Sequence, residues 1–223
     1  MSSKNDISLV MFDLDGTLVN SVDVIISSVN LSRIKFHYPA RAELEIFNLV
    51  GLAPSAFFSD LDISDSDVKL LIEEFRLTLN GMPIDSSHVY PSTAQVLTVL
   101  KSYGAILAVA TNKPTKNAEL LLNKTGLIDF FSHIQGSDNL NSKPAPDILS
   151  KVMDLFNPVS SVMIGDRAED MMAARSIGMK CIGIAQTSHS KELLLESGAF
   201  LAFNTMSGFC EFIKSNAFSD ILT

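Results

Sequence analysis

Four short apolar runs, ISLVMF at 7–12, AILAVAT at 105–111, SVMIGD at 161–166 and KCIGIA at 180–185, each stop in polar or glycine-bearing residues. From about residue 91 onward helix-like patterns separate them, with candidates over 92–102, 115–124, 145–155, 167–176 and 190–197. Pro114 and Pro146 stand near two of the starts, where a missing N–H costs little. Unbroken apolar runs alternating with helices are the pattern of a parallel sheet covered on both faces. The sequence therefore predicts an α/β core with a parallel sheet of about five strands flanked by helices.

The stretch from 18 to 88 breaks that alternation, because no second buried strand follows the first for some seventy residues. Val22, Ile25, Ile26 and Val29 keep helical spacing, as do Val68, Leu71, Ile72, Phe75 and Leu79. An all-α unit over 17–88 is expected, inserted into a core made of 1–16 and 89–223. Its exits are the turn after Gly16 and the segment NGMPIDSSHVYPST.

With 223 residues, 47% of them hydrophobic, the chain can bury one substantial core with a smaller unit attached. A net charge of -8 argues against nonspecific binding to nucleic acid or to an anionic membrane. Cys181 and Cys210 sit in apolar contexts without metal spacing and read as buried free thiols, which suits a reducing cytoplasm. The N-terminus MSSKNDISLVMFDLDG lacks a signal-peptide core, and nowhere do about 18 apolar residues run together. A cytoplasmic protein is expected.

Ligands of open parallel sheets sit outside the carboxyl ends of the strands. Those ends supply Asp13 and Asp15, then Thr111 and Asn112, then Asp166 and Asp170, and the loop NSKPAPDI adds Lys143 between two of them. Two carboxylates as close as Asp13 and Asp15 repel unless a cation shares them or one holds a proton. Four acids, a lysine and a hydroxyl suit phosphoryl chemistry with a hard divalent cation, and Mg2+ needs only a few carboxylates besides its waters and a substrate phosphate. One carboxylate can attack phosphorus while the other protonates the leaving oxygen and then deprotonates water.

DLDGT, TNK, SKPAPD and GDRAED, in that order, resemble the motifs of the haloacid dehalogenase superfamily of phosphohydrolases. The resemblance spans nearly the whole chain and implies a Rossmann-like core with a mobile helical cap over 17–88. It makes Asp13 the nucleophile and Asp15 the acid and base, with the Asp15 backbone carbonyl also on magnesium. Asp166 becomes a direct metal ligand, and Asp170 a partner of the metal site that stands behind the ligands or acts through a water. Thr111 and the N–H of Asn112 would hold phosphoryl oxygens, and Lys143 would pair with the phosphate and Asp13. FDLDGTLVNS with SKPAPDI is most similar to the phosphoglycolate phosphatase group, whose caps present a substrate-facing loop where LVGLAPSAFF and Gly51 stand here.

The expected reaction is magnesium-dependent release of phosphate from a small phosphorylated metabolite, 2-phosphoglycolate first among the candidates, by a monomer or homodimer. A phosphosugar mutase of the same superfamily and a non-catalytic phospho-switch module are the competing readings; a phosphonate hydrolase would need a cap lysine, Lys35 or Lys69. Three departures from the family pattern stand out: Asn20 at a hinge position usually Asp, Arg167 where Ser or Thr is frequent, and QTSHS in place of a glycine- and aromatic-rich loop. Arg167 reads as a surface residue. Arg33, Lys35, His37 and Arg41 read as a solvated face, His37, His88, His133 and His189 as structural or exposed, and Met171 and Met172 as core filling.

Overall fold

The computed structural model describes residues 8–215. Residues 1–7 and 216–223, which the sequence reading assigned to the core and, at the N-terminus, to an untargeted start, lie outside the described residues. Six parallel strands form one sheet in the order β3-β2-β1-β4-β5-β6. They are β1 (Ser8–Phe12), β2 (Ile106–Ala110), β3 (His133–Gln135), β4 (Ser160–Gly165), β5 (Lys180–Ile184) and β6 (Leu201–Phe203). The sequence predicted about five. β3 and β6 are the two edges, three residues each, too short to register as apolar runs.

The central strands are apolar throughout because both their faces are covered. On β1, Val10 and Phe12 join one hydrophobic cluster while Leu9 and Met11 join another, and all four are 0% exposed. α4 (Thr93–Ser102), α5 (Thr115–Thr125) and α9 (Met206–Lys214) pack on the first face through Val96, Leu97, Leu122 and Phe209. α6 (Asp147–Phe156), α7 (Ala168–Ser176) and α8 (Lys191–Glu196) cover the second through Ile148, Val152, Ala174 and Leu194. Pro114 and Pro146 occupy the N-cap positions of α5 and α6. Met171 is buried, but Met172 is half exposed on the outer side of α7, so only one of the pair fills the core.

Between β1 and β2 lie α1 (Val22–Lys35), α2 (Glu43–Leu49) and α3 (Asp65–Gly81), with a separate cluster of Val22, Ile25, Val29, Ile46, Phe57, Phe58, Leu71 and Phe75. The chain enters and leaves this insert side by side: Asn20 donates its N–H to the His88 carbonyl at 2.7 Å, and Tyr90 donates to the Leu18 carbonyl at 3.1 Å. No helix of the described residues is long and apolar enough to cross a membrane. Cys181 and Cys210 are free and buried, and burial pushes the Cys181 thiol up to about 11.

The basic group expected to form a solvated face does something else. Arg33 is 1% exposed. Its Nη1 and Nη2 form a forked pair with both Asp60 carboxylate oxygens at 2.8 and 2.7 Å, and its Nε donates to the Pro39 carbonyl. Arg41 shares Asp60 at 3.3 Å and also holds Glu45. Lys35, paired with Glu74, and His37 keep the expected exposure. The Arg33 hydrogen bonds hold the Asp60 carboxyl below its ordinary value of 3.8 against the opposing effect of burial. A depressed carboxylate contributes stability above its unfolded value and loses it as pH falls through the folded one. Hydrogen-exchange protection factors in α1 and α3 are therefore expected to fall on acidification below about pH 4, and Asp60→Asn should abolish that acid step.

Candidate active site

β2, β1 and β4 lie next to one another, and their carboxyl ends bring together residues far apart in sequence. Asp13 follows β1 directly and donates its N–H to the Ile164 carbonyl at 2.9 Å. Asp166 follows β4, and Thr111 follows β2. One carboxylate oxygen each from Asp13, Asp166 and Asp170 falls within a 4.8 Å cluster, all three residues buried. Lys143 reaches this cluster from the loop before α6. Its ammonium donates to Asp13 Oδ1 at 2.8 Å, Asp170 Oδ1 at 2.6 Å and the Ala110 carbonyl at 2.8 Å, which uses all three of its protons.

Asp170 stands at the third position of α7, where its Oδ2 accepts the Arg167 N–H at 3.2 Å. It thus closes the helix start with one oxygen and holds Lys143 with the other. Asp166 accepts the Thr17 hydroxyl at 2.6 Å and the Thr187 hydroxyl. Gly16 has φ +89°, and a Cβ there would clash with the Asp166 carboxylate, so the turn after Asp15 is closed to other residues.

Asp15 lies beside this cluster, with its own partners. Ser21 donates to Asp15 Oδ1 at 2.5 Å, and Lys113 pairs with Oδ2 at 2.9 Å. Ser21 is the N-cap of α1, yet its hydroxyl does not cap the helix. A cap hydrogen bond is ordinarily worth about 1 kcal/mol, so local helix stability is forgone to fix a carboxylate.

The electrostatics show what the cluster lacks. Burial, with the charges of Asp13 and Asp170, pushes Asp166 up to about 8. Burial also pushes Asp13 up to about 6, reinforced by Asp170 and opposed by Lys143. Four carboxylates, Asp13, Asp15, Asp166 and Asp170, face two lysines, Lys113 and Lys143, leaving two negative charges uncompensated. A divalent cation would supply the missing charge, and oxygen-only donors suit a hard one.

The insert closes over this floor. Asn112 donates from Nδ2 to the Gly51 carbonyl at 2.9 Å, while its Oδ1 accepts the Lys143 N–H at 2.8 Å. Its side chain thus ties two loops, a role that the sequence reading, looking to its N–H, did not foresee. Thr111 is buried and its hydroxyl accepts the Lys113 N–H at 3.3 Å. Asp13, Asp15, Gly51, Thr111, Asn112 and Lys113 line a cavity of about 50 Å³ beneath the insert, with Phe57, Phe75, Arg76 and Leu79 among its other walls.

Arg167, expected at the surface, is 5% exposed. Its Nη1 donates to the Val50 carbonyl at 2.6 Å and Nη2 to the Asn48 carbonyl at 3.3 Å, both in the insert, while Nε pairs with Glu169. Gly51, at φ +91°, leaves the space that the Arg167 stem fills. The core loop bearing Asp166 is thereby fastened to the insert. Arg167→Ala is expected to reduce hydrogen-exchange protection over residues 46–54 about 10- to 100-fold, the worth of hydrogen bonds from a charged donor, and to raise KM more than it lowers kcat. Unchanged protection there would remove this role. Lys113, Ser21, Thr17 and Thr187 also escaped the sequence reading. Lys113, Thr17 and Ser21 carried a signal, as the last residues of TNK, DLDGT and FDLDGTLVNS.

A family model described as haloacid dehalogenase-like hydrolase matches residues 10–184. The chain belongs to the haloacid dehalogenase-like hydrolases. Among curated members, phosphoglycolate phosphatase of Haemophilus influenzae (strain 86-028NP) is 32% identical over 189 residues, covering 79% of this chain and 84% of its own. Phosphoglycolate phosphatase of Pseudomonas putida is 31% identical over 202 residues, covering 85% and 74%. Among solved haloacid dehalogenase-type structures, a predicted phosphatase from Clostridium acetobutylicum superposes with a TM-score of 0.82 at 29% identity, covering 94% of this chain and 99% of that one. A β-phosphoglucomutase from Clostridium difficile superposes nearly as well, TM-score 0.81 over 97% and 100%, but at 19% identity it shares the fold alone.

Proposed function

We propose that this hydrolase is a magnesium-dependent phosphatase acting on a small phosphorylated metabolite, 2-phosphoglycolate, with 17–88 serving as a cap. The observation that carries the reading is Asp13 itself: a buried carboxylate with one oxygen held by Lys143, in a cluster two positive charges short. Asp13, Asp166 and the Asp15 backbone carbonyl would hold Mg2+, with Asp170 behind them. The ion, when bound, neutralises these acids and the phosphoryl oxygens.

With Oδ1 fixed by Lys143, Asp13 Oδ2 attacks phosphorus and the ester P–O bond breaks, leaving an aspartyl phosphate. Asp15 takes up a proton before the chemical step and gives it to the departing alkoxide, and Ser21 and Lys113 stabilise the carboxylate that this restores. Asp15 then takes a proton from water as the water oxygen attacks phosphorus. The acyl-phosphate bond breaks, inorganic phosphate departs, and both aspartates return to their starting states. Thr111 by its hydroxyl and Lys143 by its charge steady the equatorial oxygens, where charge develops. The small cavity under the insert supports a compact leaving group over a hexose or nucleotide.

The test is phosphate release from 2-phosphoglycolate, hexose and pentose phosphates, nucleotides and pyrophosphate, with magnesium and with EDTA. Magnesium-dependent release favouring 2-phosphoglycolate is expected. Isomerisation of a sugar phosphate without release would replace this reading with the mutase.

A further inference from the structure

α3 places a cation over the cavity that the reaction scheme leaves idle. Arg76 lines the same cavity as Asp13, Asp15, Thr111 and Lys113, from the insert side. Its Nε is buried without a hydrogen-bond partner, and among the described residues its guanidinium forms no ion pair. The other arginines of the interior differ. Arg33, Arg41 and Arg167 direct their donors to carboxylates and backbone carbonyls. The acid that senses Arg76 is Asp138, whose carboxyl already accepts the Thr115 N–H at 2.8 Å and the Thr115 hydroxyl.

An arginine half-buried among Phe57, Phe75 and Leu79, with a buried donor unmatched, is unfavourable unless a ligand completes it. A guanidinium brings five donors, no acceptor and a fixed positive charge, so among apolar walls an anion is the ligand that meets both needs. It must also lie on the leaving-group side, since the phosphoryl side is served by the core residues Asp13, Thr111 and Lys143 while Arg76 belongs to the insert. We propose that Arg76 reads a carboxylate on the alcohol portion of the substrate, which makes it a specificity-determining residue for phosphorylated hydroxy acids with a short carbon chain. Phe57, Phe75 and Leu79 line the cavity beside Arg76 and suit a short carbon chain between ester and carboxylate. Apolar walls lower the local dielectric and strengthen the pairing. This rests on the phosphatase reading for its choice of substrate, and on the cavity alone for its choice of anion.

The experiment compares 2-phosphoglycolate with ethyl phosphate, which has a methyl group where the carboxylate stands. In the magnesium-loaded enzyme, kcat/KM is expected to favour 2-phosphoglycolate. Arg76→Ala and Arg76→Gln should lower the ratio of the two kcat/KM values about 30- to 100-fold, the worth of a charge-assisted pair. Arg76→Lys should restore part of it. A general loss of structure would depress both substrates and leave the ratio unmoved, which would overturn the proposal. A second arm measures equilibrium binding of the same two compounds to Asp13→Asn protein with magnesium, with and without Arg76→Gln. If the parent enzyme releases phosphate from neither compound but binds 2-phosphoglycolate selectively through Arg76, the phosphatase reading fails and the carboxylate site stands. Equal binding of both compounds would sink the carboxylate site even in an active phosphatase.

Discussion

Asp13→Asn is expected to lower turnover at least about 10⁴-fold, because the amide keeps the shape of the carboxylate and loses its nucleophilicity. The same change should not weaken the fold. Burial pushes Asp13 up to about 6, so the native state binds this proton more tightly than the unfolded chain does. A raised carboxylate makes the metal-free protein less stable as pH climbs from about 4 towards 6. Asparagine removes that liability. In EDTA at pH 8 the variant should therefore melt at or above the parent's temperature. Magnesium should reverse the order, since an ion at 100 times its dissociation constant stabilises the parent by about 2.7 kcal/mol, or roughly 5–10 °C for a chain of this size. Melting curves with EDTA and with magnesium check both signs, and a destabilised variant in EDTA would show that the Asp13 charge holds the core together.

Lys143→Met should do the opposite and damage structure and catalysis together. Methionine keeps the apolar stem, but Asp13 and Asp170 lose the ammonium that both contact, at 2.8 and 2.6 Å, in a site where lysine and acids are almost fully buried. Although burial opposes it, the charges of Asp13 and Asp170 hold the Lys143 ammonium above its ordinary range. Breaking a buried pair by removing one partner costs about 3–5 kcal/mol. The loss should appear as a lower urea midpoint, with kcat reduced about 10³-fold because the phosphoryl oxygens lose a fixed cation. Magnesium should recover part of the stability by sharing the exposed acids. A midpoint within about 0.5 kcal/mol of the parent, the range of an ordinary surface substitution, would mean that Lys143 is not needed to balance them.

The sheet was legible where strands are buried on both faces, because such strands must be apolar without interruption, as in ISLVMF and SVMIGD. The edges HIQ and LAF carry three residues each, and no local pattern marks them. α9 also went unread, although Met206, Phe209, Cys210 and Ile213 pack on the sheet with helical spacing. At the site, the residues at strand ends were readable because topology delivers every strand end to one edge. Their tethers were not. Arg167 meets Val50 across 117 positions and Arg33 meets Asp60 across 27, so a cation that looks free in sequence is committed in the fold. Ser21 shows a different limit. As a residue before a helix it reads as a cap, and only the folded chain shows its hydroxyl turned to Asp15.

The central claim is that phosphate passes through Asp13. Acid-quenching the enzyme during turnover of 2-phosphoglycolate with magnesium, then weighing its peptides, tests this directly, and Asp15→Asn should lengthen the life of the adduct by slowing its hydrolysis. The account predicts one added phosphoryl group on the peptide containing Asp13, lost with EDTA and absent in Asp13→Asn. Steady phosphate release with Asp13 unmodified throughout, or an adduct on another residue, would contradict it.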